Sequence, residues 1–118
     1  MEFTELPNRD QAVVDLAKLH DYRLNPYHQD GKHKARVFRA ALGVGRADAE
    51  WLRERILEVA ATRPVVLTAI TPFGILYVLD FVLTTASGSA VARTGWIVRH
   101  GEDYPRLTRF YVKAGAKR

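Results

Sequence analysis

Residues 65–113 read VVLTAITPFGILYVLDFVLTTASGSAVARTGWIVRHGEDYPRLTRFYVK, and this stretch decides the fold. Short turns containing Pro, Gly or Ser divide it into runs rich in β-branched and aromatic residues. The runs are Val65–Thr71, Ile75–Thr85, Ala90–His100 and Arg106–Lys113. Such runs joined by short turns are typical of β-hairpins. The sequence therefore predicts a four-stranded antiparallel meander sheet over residues 64–113.

The residues before this sheet carry helical patterns over 15–62. Asp15 can cap a short helix that runs to about Tyr22. Asn25-Pro26 follows and prevents the helix from continuing. A second helix is predicted over Lys32–Leu42, followed by Gly43, and a third over Ala47–Ala61. The apolar stripe of the third helix is Ala49, Leu52, Ile56, Val59 and Ala60. Two to three N-terminal helices packed on one sheet make an α+β domain.

Composition limits the class of protein. The chain has 118 residues, no cysteine, and 18 Lys and Arg against 13 Asp and Glu, which gives a net charge of +5. We expect one domain over 1–118, with a lead-in at 1–12 and a frayed tail at 114–118. Neither a signal peptide nor an apolar run of the ~20 residues needed to cross a bilayer is visible. A cytoplasmic protein with no membrane partner is expected.

Cations crowd the start of the second helix, where Lys32, His33, Lys34 and Arg36 fall within its first turns. Each exposed cation there costs roughly 0.3–1 kcal/mol against the helix dipole, so the pattern favours a bound phosphate. At about 100° per residue, Lys34 lies within the apolar arc of Phe38, and Lys32 and Arg36 face outward. The alternative is a solvated helix face, with the stem of Lys34 laid along the edge of the core.

His28 and His33 flank Gly31 and stand among lysines. Their ordinary pKa of ~6.5 suits both the acid and the base of phosphodiester cleavage. The alternative is a pair of surface histidines. Metal binding by the two histidines is disfavoured because the neighbouring cations repel a metal ion and because Asp30 is the only carboxylate nearby in the sequence. We therefore expect neither a metal nor a cofactor.

The turns predict a strand register that places Phe81 opposite Thr94, Ile97 opposite Thr108, and Arg99 opposite Arg106. The predicted core face holds Leu79, Phe81, Leu83, Trp96, Val98, Leu107 and Tyr111. The predicted outer face holds Asp80, Arg93, Arg99, Arg106, Thr108 and Phe110. Arg93 and Arg106 are candidates to bind RNA phosphates, with Thr108 beside them. The alternative is ordinary cross-strand pairing of Asp80 with Arg93.

Motifs along nearly the whole chain resemble an uncharacterised bacterial domain family, found both alone and joined to toxin-like proteins. The shared motifs are Leu6-Pro7-Asn8, Leu24-Asn25-Pro26, His28, Gly31–Phe38, Arg93-Thr94, Trp96-Ile97, Gly101-Glu102-Asp103 and Pro105-Arg106-Leu107. The order of elements also resembles the ribonuclease toxins that include barnase, EndoU, colicin nucleases and RelE. That likeness is one of architecture, and a barnase-like carboxylate base is not evident.

These features predict a metal-independent endoribonuclease, as the toxin of a bacterial toxin–antitoxin or competition system. His28 or His33 would take the 2′-OH proton, cations including Lys34 would stabilise the charged phosphate, and Thr108 or the second histidine would assist the leaving oxygen. A non-enzymatic module that binds RNA or phosphate is one alternative. An antitoxin- or immunity-type interaction protein is another. The edge near Val65–Ile70 could pair with a cognate inhibitor or with a second copy in a homodimer.

Overall fold

The computed structural model describes residues 3–20 and 32–113, and of Lys32 only the backbone. The predicted helix end at Tyr22, Asn25-Pro26, His28 and the 114–118 tail lie outside the described residues. The elements are β1 (Phe3–Thr4), α1 (Leu16–Lys18), α2 (Lys32–Leu42), α3 (Ala49–Thr62), β2 (Val65–Thr71), β3 (Gly74–Thr85), β4 (Gly88–Arg99) and β5 (Arg106–Val112).

The α+β class and the antiparallel meander are confirmed, but the predicted number of strands is wrong. The sheet has five strands in the order β1-β2-β3-β4-β5. The additional strand, β1, comes from the predicted lead-in and pairs Phe3 with Val66 and Thr4 with Val65. A two-residue strand is too short to show a period-2 pattern, so the sequence carries no signal for it.

Local signals placed the helix ends well. The Asp15 carboxylate accepts hydrogen bonds from the backbone N–H groups of Ala17 and Lys18, at 3.0 and 3.3 Å, and so caps α1. Gly43 follows α2 with φ of 69°, a conformation that glycine adopts without a Cβ penalty. The predicted stripe of α3 is buried as expected. This helix begins at Ala49 rather than Ala47 because a 3-10 turn spans Arg46–Asp48.

The β3–β4 register differs from the prediction by two residues. A two-residue turn pairs Thr85 with Gly88, so Phe81 lies opposite Ala92 rather than Thr94. Because side chains alternate with period 2, an even shift leaves every side chain on its predicted face. Leu79, Phe81, Leu83 and Trp96 are accordingly buried, as predicted.

The predicted β4–β5 register is wrong, and the error assigns some side chains to the wrong face of the sheet. The pairing shifts between Gly95 and Trp96 of β4, and Thr108 is the additional residue in β5. Such a β-bulge interrupts the alternation of side chains. Phe110 therefore lies on the core face, 0% exposed, and Tyr111 lies opposite Arg93 on the outer face, the reverse of the prediction.

The two arginines predicted to face each other do not. Arg106 lies opposite Ile97 and Arg99 lies opposite Gly74 of β3. The register near the β4–β5 turn is set by the turn that includes Gly101, whose φ is 87°. Arg99 and Arg106 therefore do not form the cross-strand pair of like charges that the predicted register implied.

The helices cover one face of the sheet, and α2 contacts β5 through an aromatic pair. The rings of Phe38 and Phe110 lie 4.7 Å apart between centroids. Beneath them, the buried Thr94 hydroxyl donates to the Leu79 carbonyl at 2.8 Å and accepts from the Trp96 indole N–H at 2.9 Å. Burial of large apolar groups drives this packing, and the threonine satisfies the one polar atom that the indole brings.

The segment before α1 runs along the free side of β5. The Val13 N–H donates to the Pro105 carbonyl at 2.9 Å, and the Leu107 N–H donates to the Val13 carbonyl at 3.0 Å. Val13 thus forms a parallel bridge with Arg106. This contact brings α1 against the start of β5 and creates the groove described below.

Candidate functional site

A groove of about 420 Å³ lies between α1 and the adjoining ends of β4 and β5. Its lining residues are Val13, Asp15, Lys18, Leu19, Arg99, Arg106, Leu107 and Thr108. Two residues proposed from sequence, Arg106 and Thr108, are therefore brought together. Lys18 and Arg99 also line it and were not among the predicted site residues.

Cations outnumber carboxylates around this groove, although the Glu102 carboxylate binds Arg106 and has its pKa lowered chiefly by that hydrogen bond and in part by the charge of Arg99. Its lining has three cationic side chains, Lys18, Arg99 and Arg106, and one carboxylate, Asp15. The Asp15 carboxylate already accepts two N–H groups of α1, and no carboxylate of residues 3–20 or 33–113 forms an ion pair with Lys18 or Arg99. A small anion such as a phosphate would therefore meet complementary charge there.

Arg106 is held in one orientation by its neighbours. Its Nε and one Nη donate to the two carboxylate oxygens of Glu102, each at 3.0 Å, and the Tyr104 hydroxyl accepts a further bond at 2.8 Å. The guanidinium also lies 5.1 Å from the centroid of the Tyr104 ring. These contacts lower the pKa of Glu102, chiefly through the hydrogen bond from Arg106. The planar fork is preorganised for an anion at its remaining N–H groups.

Thr108 lines the groove and is the additional residue of the β-bulge. Its hydroxyl donates to the Gly95 carbonyl at 3.2 Å, across the irregular part of the ladder. Without the additional residue, strict alternation would place Thr108 on the opposite face from Leu107 and could not place Phe110 in the core. The bulge therefore leaves Thr108 on its predicted outer face and reverses the faces of the residues that follow it.

A second group of charged residues lies farther along the same outer face, and we call it the Asp80 cluster: Lys34, Asp80, Arg93, Tyr111 and Lys113. Arg93 binds Asp80 through two parallel hydrogen bonds of 2.8 and 2.9 Å, and Lys113 Nζ lies 3.4 Å from the same carboxylate. The hydrogen bond from Arg93 is the main reason that the pKa of Asp80 is lowered. The cross-strand pair weighed as the alternative for Asp80 and Arg93 is thus present.

The remaining members of the cluster join α2 to the sheet. Lys34 Nζ lies 5.1 Å from the centroid of the Tyr111 ring, a cation–π distance. Tyr111 also hydrogen-bonds with Arg93, which contributes to the raised pKa of that guanidinium after the larger effect of Asp80. Lys34 therefore lies at the seam between helix and sheet, as its place in the apolar arc predicted.

The predicted site residues whose side chains the structure describes lie in separate places. Arg106 and Thr108 line the groove, and Lys34 and Arg93 belong to the Asp80 cluster. His33 and Arg36 are exposed on α2. Along β4, Arg93 and the partner position of Arg106 are separated by four residues, or about 13 Å. The two arginines therefore lie at different places along the outer face.

The groove residues that sequence reasoning missed had weak signals. Arg99 was correctly placed on the outer face, but the wrong register paired it with Arg106. Lys18 lies three residues after the cap residue Asp15, and nothing in the sequence predicted that α1 would pack beside β5.

Within the described part of the chain, no group of three or more His, Asp and Glu residues could hold a metal ion. None of the helices in that part is long and apolar enough to span a membrane.

Comparisons with known proteins agree with the architecture. The family model described as "Domain of unknown function (DUF6883)" matches residues 5–114. A search of the curated proteins found no match. Among solved structures, a chain of the contact-dependent growth inhibition toxin–immunity protein complex from Klebsiella pneumoniae 342 is similar, with a TM-score of 0.66 and 20% identity. The similarity covers 86% of this chain and 99% of that chain, and at this identity it shows a shared fold.

Proposed function

Because the chain belongs to the family described as Domain of unknown function (DUF6883), whose description names no activity, we propose its function from the groove. The proposal is a metal-independent endoribonuclease that serves as the toxin of a bacterial toxin–antitoxin or competition system. The observation that carries it is the groove that Lys18, Arg99, Arg106 and Thr108 line together. Cations placed around a phosphate stabilise the negative charge that develops when a phosphodiester is cleaved without a metal.

The reaction follows from the chemistry of RNA. The ribose 2′-oxygen attacks the adjacent phosphorus, a 2′-O–P bond forms, and the P–O5′ bond breaks. The products are a 2′,3′-cyclic phosphate and a free 5′-hydroxyl. A base takes the 2′-OH proton and an acid returns a proton to O5′, and each such step contributes about 10²–10⁴-fold.

Roles are assigned to residues of this chain as follows. His28 is proposed as the base, and Thr108, through water, as the group that protonates the leaving oxygen; His33 takes either role only if its exposed side chain on α2 reaches the groove. Arg106, Arg99 and Lys18 stabilise the extra negative charge on the phosphorus oxygens, the term that is often largest in such reactions. The cations at the start of α2, Lys32 and Arg36, together with Lys34 and Arg93, bind the RNA backbone outside the groove.

The fold similarity supports the biological setting. The similar chain belongs to a toxin–immunity protein complex, so a toxin or immunity role is reasonable for this fold. A toxin of this kind needs a cognate inhibitor protein, and an acidic inhibitor would complement the cationic groove. The net charge of +5 favours the toxin over the inhibitor.

The test is RNA cleavage by the purified protein in excess EDTA, with the chemistry of the product ends determined. We expect cleavage that yields cyclic phosphate ends and that falls about 10²-fold or more for the His28→Ala/His33→Ala double variant. Arg99→Gln and Thr108→Val should each lower kcat. Arg63→Gln removes one exposed cation at the end of α3 and is the matched control, with unchanged activity. No cleavage of total RNA or of ribosome-bound RNA would exclude the enzyme.

Protein interaction is a second candidate because one edge of the sheet is apolar. On its side away from β3, β2 pairs in the described part of the chain with β1 at Val65 and Val66 alone, and Leu67 and Ile70 are exposed. Such an edge can accept a strand from another chain. Co-purification with the product of a neighbouring gene, lost on Ile70→Lys but retained on Arg99→Gln, would favour an immunity-type role.

A further inference from the structure

We propose that the outer face of β4 and β5 carries a row of cations that binds successive phosphates of a single-stranded RNA. We call Arg106, Arg109, Arg93 and Lys113 the basic row. This inference rests on the proposed function for its ligand and extends it by naming an extended single strand as the substrate class. It also adds Arg109 to the binding residues and gives Lys113 of the Asp80 cluster a role in binding.

The spacing of the row comes from the strand register. Arg106 lies opposite Ile97, Arg109 opposite Gly95, and Arg93 opposite Tyr111. The β4 positions 97, 95 and 93 share one face and follow each other at about 6.6 Å, the repeat of two residues in a strand. The row therefore runs from the groove to the Asp80 cluster with Arg109 midway.

Gly95 explains how Arg109 lies in this row. A Cβ built on Gly95 would be 3.2 Å from the Arg109 Cβ and 3.5 Å from the Arg109 Nε. The arginine side chain thus crosses β4 over the space that glycine leaves empty. In residues 3–20 and 33–113 no carboxylate forms an ion pair with Arg109, and the residue is exposed. Its N–H groups are available to a phosphate.

The far end of the row has more positive than negative charge. Asp80 is the one carboxylate of its cluster, and it faces both Arg93 and Lys113, with Lys34 nearby on the Tyr111 ring. The side chains of Arg93 and Lys113 remain 32% and 44% exposed. One carboxylate cannot neutralise three cations, so an anion docked there relieves repulsion among them. Arg93 retains N–H groups that Asp80 does not use.

Phosphates bound in a row predict a dependence on ligand length. A dinucleotide places one phosphate in the groove and cannot reach Arg109 or Lys113, whereas an oligonucleotide of about twelve nucleotides covers the row and lies within the range of known single-strand sites. Each phosphate contact on a single strand contributes about −0.7 to the slope of log K against log salt. Arg109→Gln and Lys113→Gln should each make the slope less steep by about that amount.

The experiment measures binding of single-stranded RNA of about twelve nucleotides by fluorescence anisotropy over a salt series, and cleavage of that RNA and of the dinucleotide UpA. The proteins are the full chain and the Arg109→Gln, Lys113→Gln and Arg63→Gln variants. We expect the first two variants to weaken binding severalfold and to raise KM for the long RNA more than for UpA. Arg63→Gln should leave both unchanged. An RNA duplex of equal length should bind less tightly.

The outcomes separate this inference from the proposed function. If the protein cleaves RNA but Arg109→Gln and Lys113→Gln behave like Arg63→Gln, the basic row is wrong and the enzyme stands. If no cleavage occurs but the two variants flatten the salt dependence, the row is correct and the protein binds RNA without chemistry. Equal affinity for duplex and single strand would overturn the commitment to a single strand.

Discussion

Thr94 shows how much of the core depends on one polar residue. It is fully buried, and its hydroxyl joins the Leu79 carbonyl to the indole N–H of Trp96. A buried indole N–H without a partner would lose its hydrogen bond to water and gain nothing in return. The threonine therefore lets a large aromatic ring occupy the centre of the sheet, where it adds more apolar burial than any aliphatic residue.

Replacing Thr94 by valine keeps the shape of the side chain and removes the hydroxyl. We expect Thr94→Val to lower the free energy of unfolding by about 1–3 kcal/mol, because the Trp96 N–H is left unsatisfied. Urea unfolding followed by tryptophan fluorescence measures the loss. Thr94→Ser is the control that keeps the hydroxyl, and a loss as large as that of valine would show that the methyl group matters instead.

The lowered pKa of Asp80 predicts a pH dependence of stability. A carboxyl whose pKa is lower in the folded state stabilises that state above its unfolded pKa of ~3.9, and this stabilisation disappears as the pH falls through the folded value. Asp80→Asn should cost about 1 kcal/mol at neutral pH, the upper range for partly exposed pairs. The difference from wild type should vanish in acid. A difference that persists to pH values below ~2 would contradict the assignment.

At the scale of elements, the bulged strand β5 contributes to both the core and the functional surface. Its additional residue, Thr108, lets Leu107 and Phe110 both face the core although they are three residues apart. The same irregularity turns Arg109 and Tyr111 toward the outer face, where Thr108 also lies. Strict alternation along β5, without the bulge, predicts the wrong faces for Phe110 and Tyr111.

Helix α2 is held to β5 mainly through Phe38. This residue is 0% exposed and stacks with Phe110, whereas its neighbour Val37 is 46% exposed. We expect Phe38→Ala to lower the free energy of unfolding by about 3–5 kcal/mol through lost burial and the cavity left behind. Val37→Ala on the same helix should change it by less than ~0.5 kcal/mol. Similar losses for both variants in urea titrations would mean that helix propensity, not packing, governs this element.

At the scale of the whole molecule, the two edges of the sheet are treated differently. The β5 edge is bridged by Val13, whereas the β2 edge is covered by β1 at Val65 and Val66 alone in the described residues. From Pro64 to Leu79 the chain carries no charged residue, and Ile70 is 74% exposed. An edge without charges lacks the usual protection against pairing with another strand.

Removing residues 1–4 should therefore increase self-association through β2, since it uncovers the pairing groups of Val65 and Val66. Sedimentation velocity over a concentration series would measure this against the full chain. Adding Ile70→Lys to the truncated chain should reverse the effect, because a charge on the edge opposes pairing. Association that Ile70→Lys does not change would place the contact elsewhere on the molecule.

Much of the fold was predictable because its signals are local. Asp15 caps α1 and Gly43 ends α2 through contacts within a few residues, and the stripe of α3 follows the 3.6-residue period. The bounds of β2 matched the prediction because Pro and Gly punctuate them. The candidate site was less predictable. Arg106 and Thr108 were found by residue type, but their neighbours Lys18 and Arg99 come from distant parts of the chain.

The sequence by itself determined the class of fold, the helices and strands, and the excess of positive charge. Each of these follows from residue type and spacing over short stretches, where the chain makes its own contacts. Tertiary structure alone decided that β1 joins the sheet, that Thr108 forms a bulge, and that α1 packs beside β5 to make the groove. Those features depend on contacts between residues far apart in the chain, such as Val13 with Leu107, and no local pattern encodes such a contact.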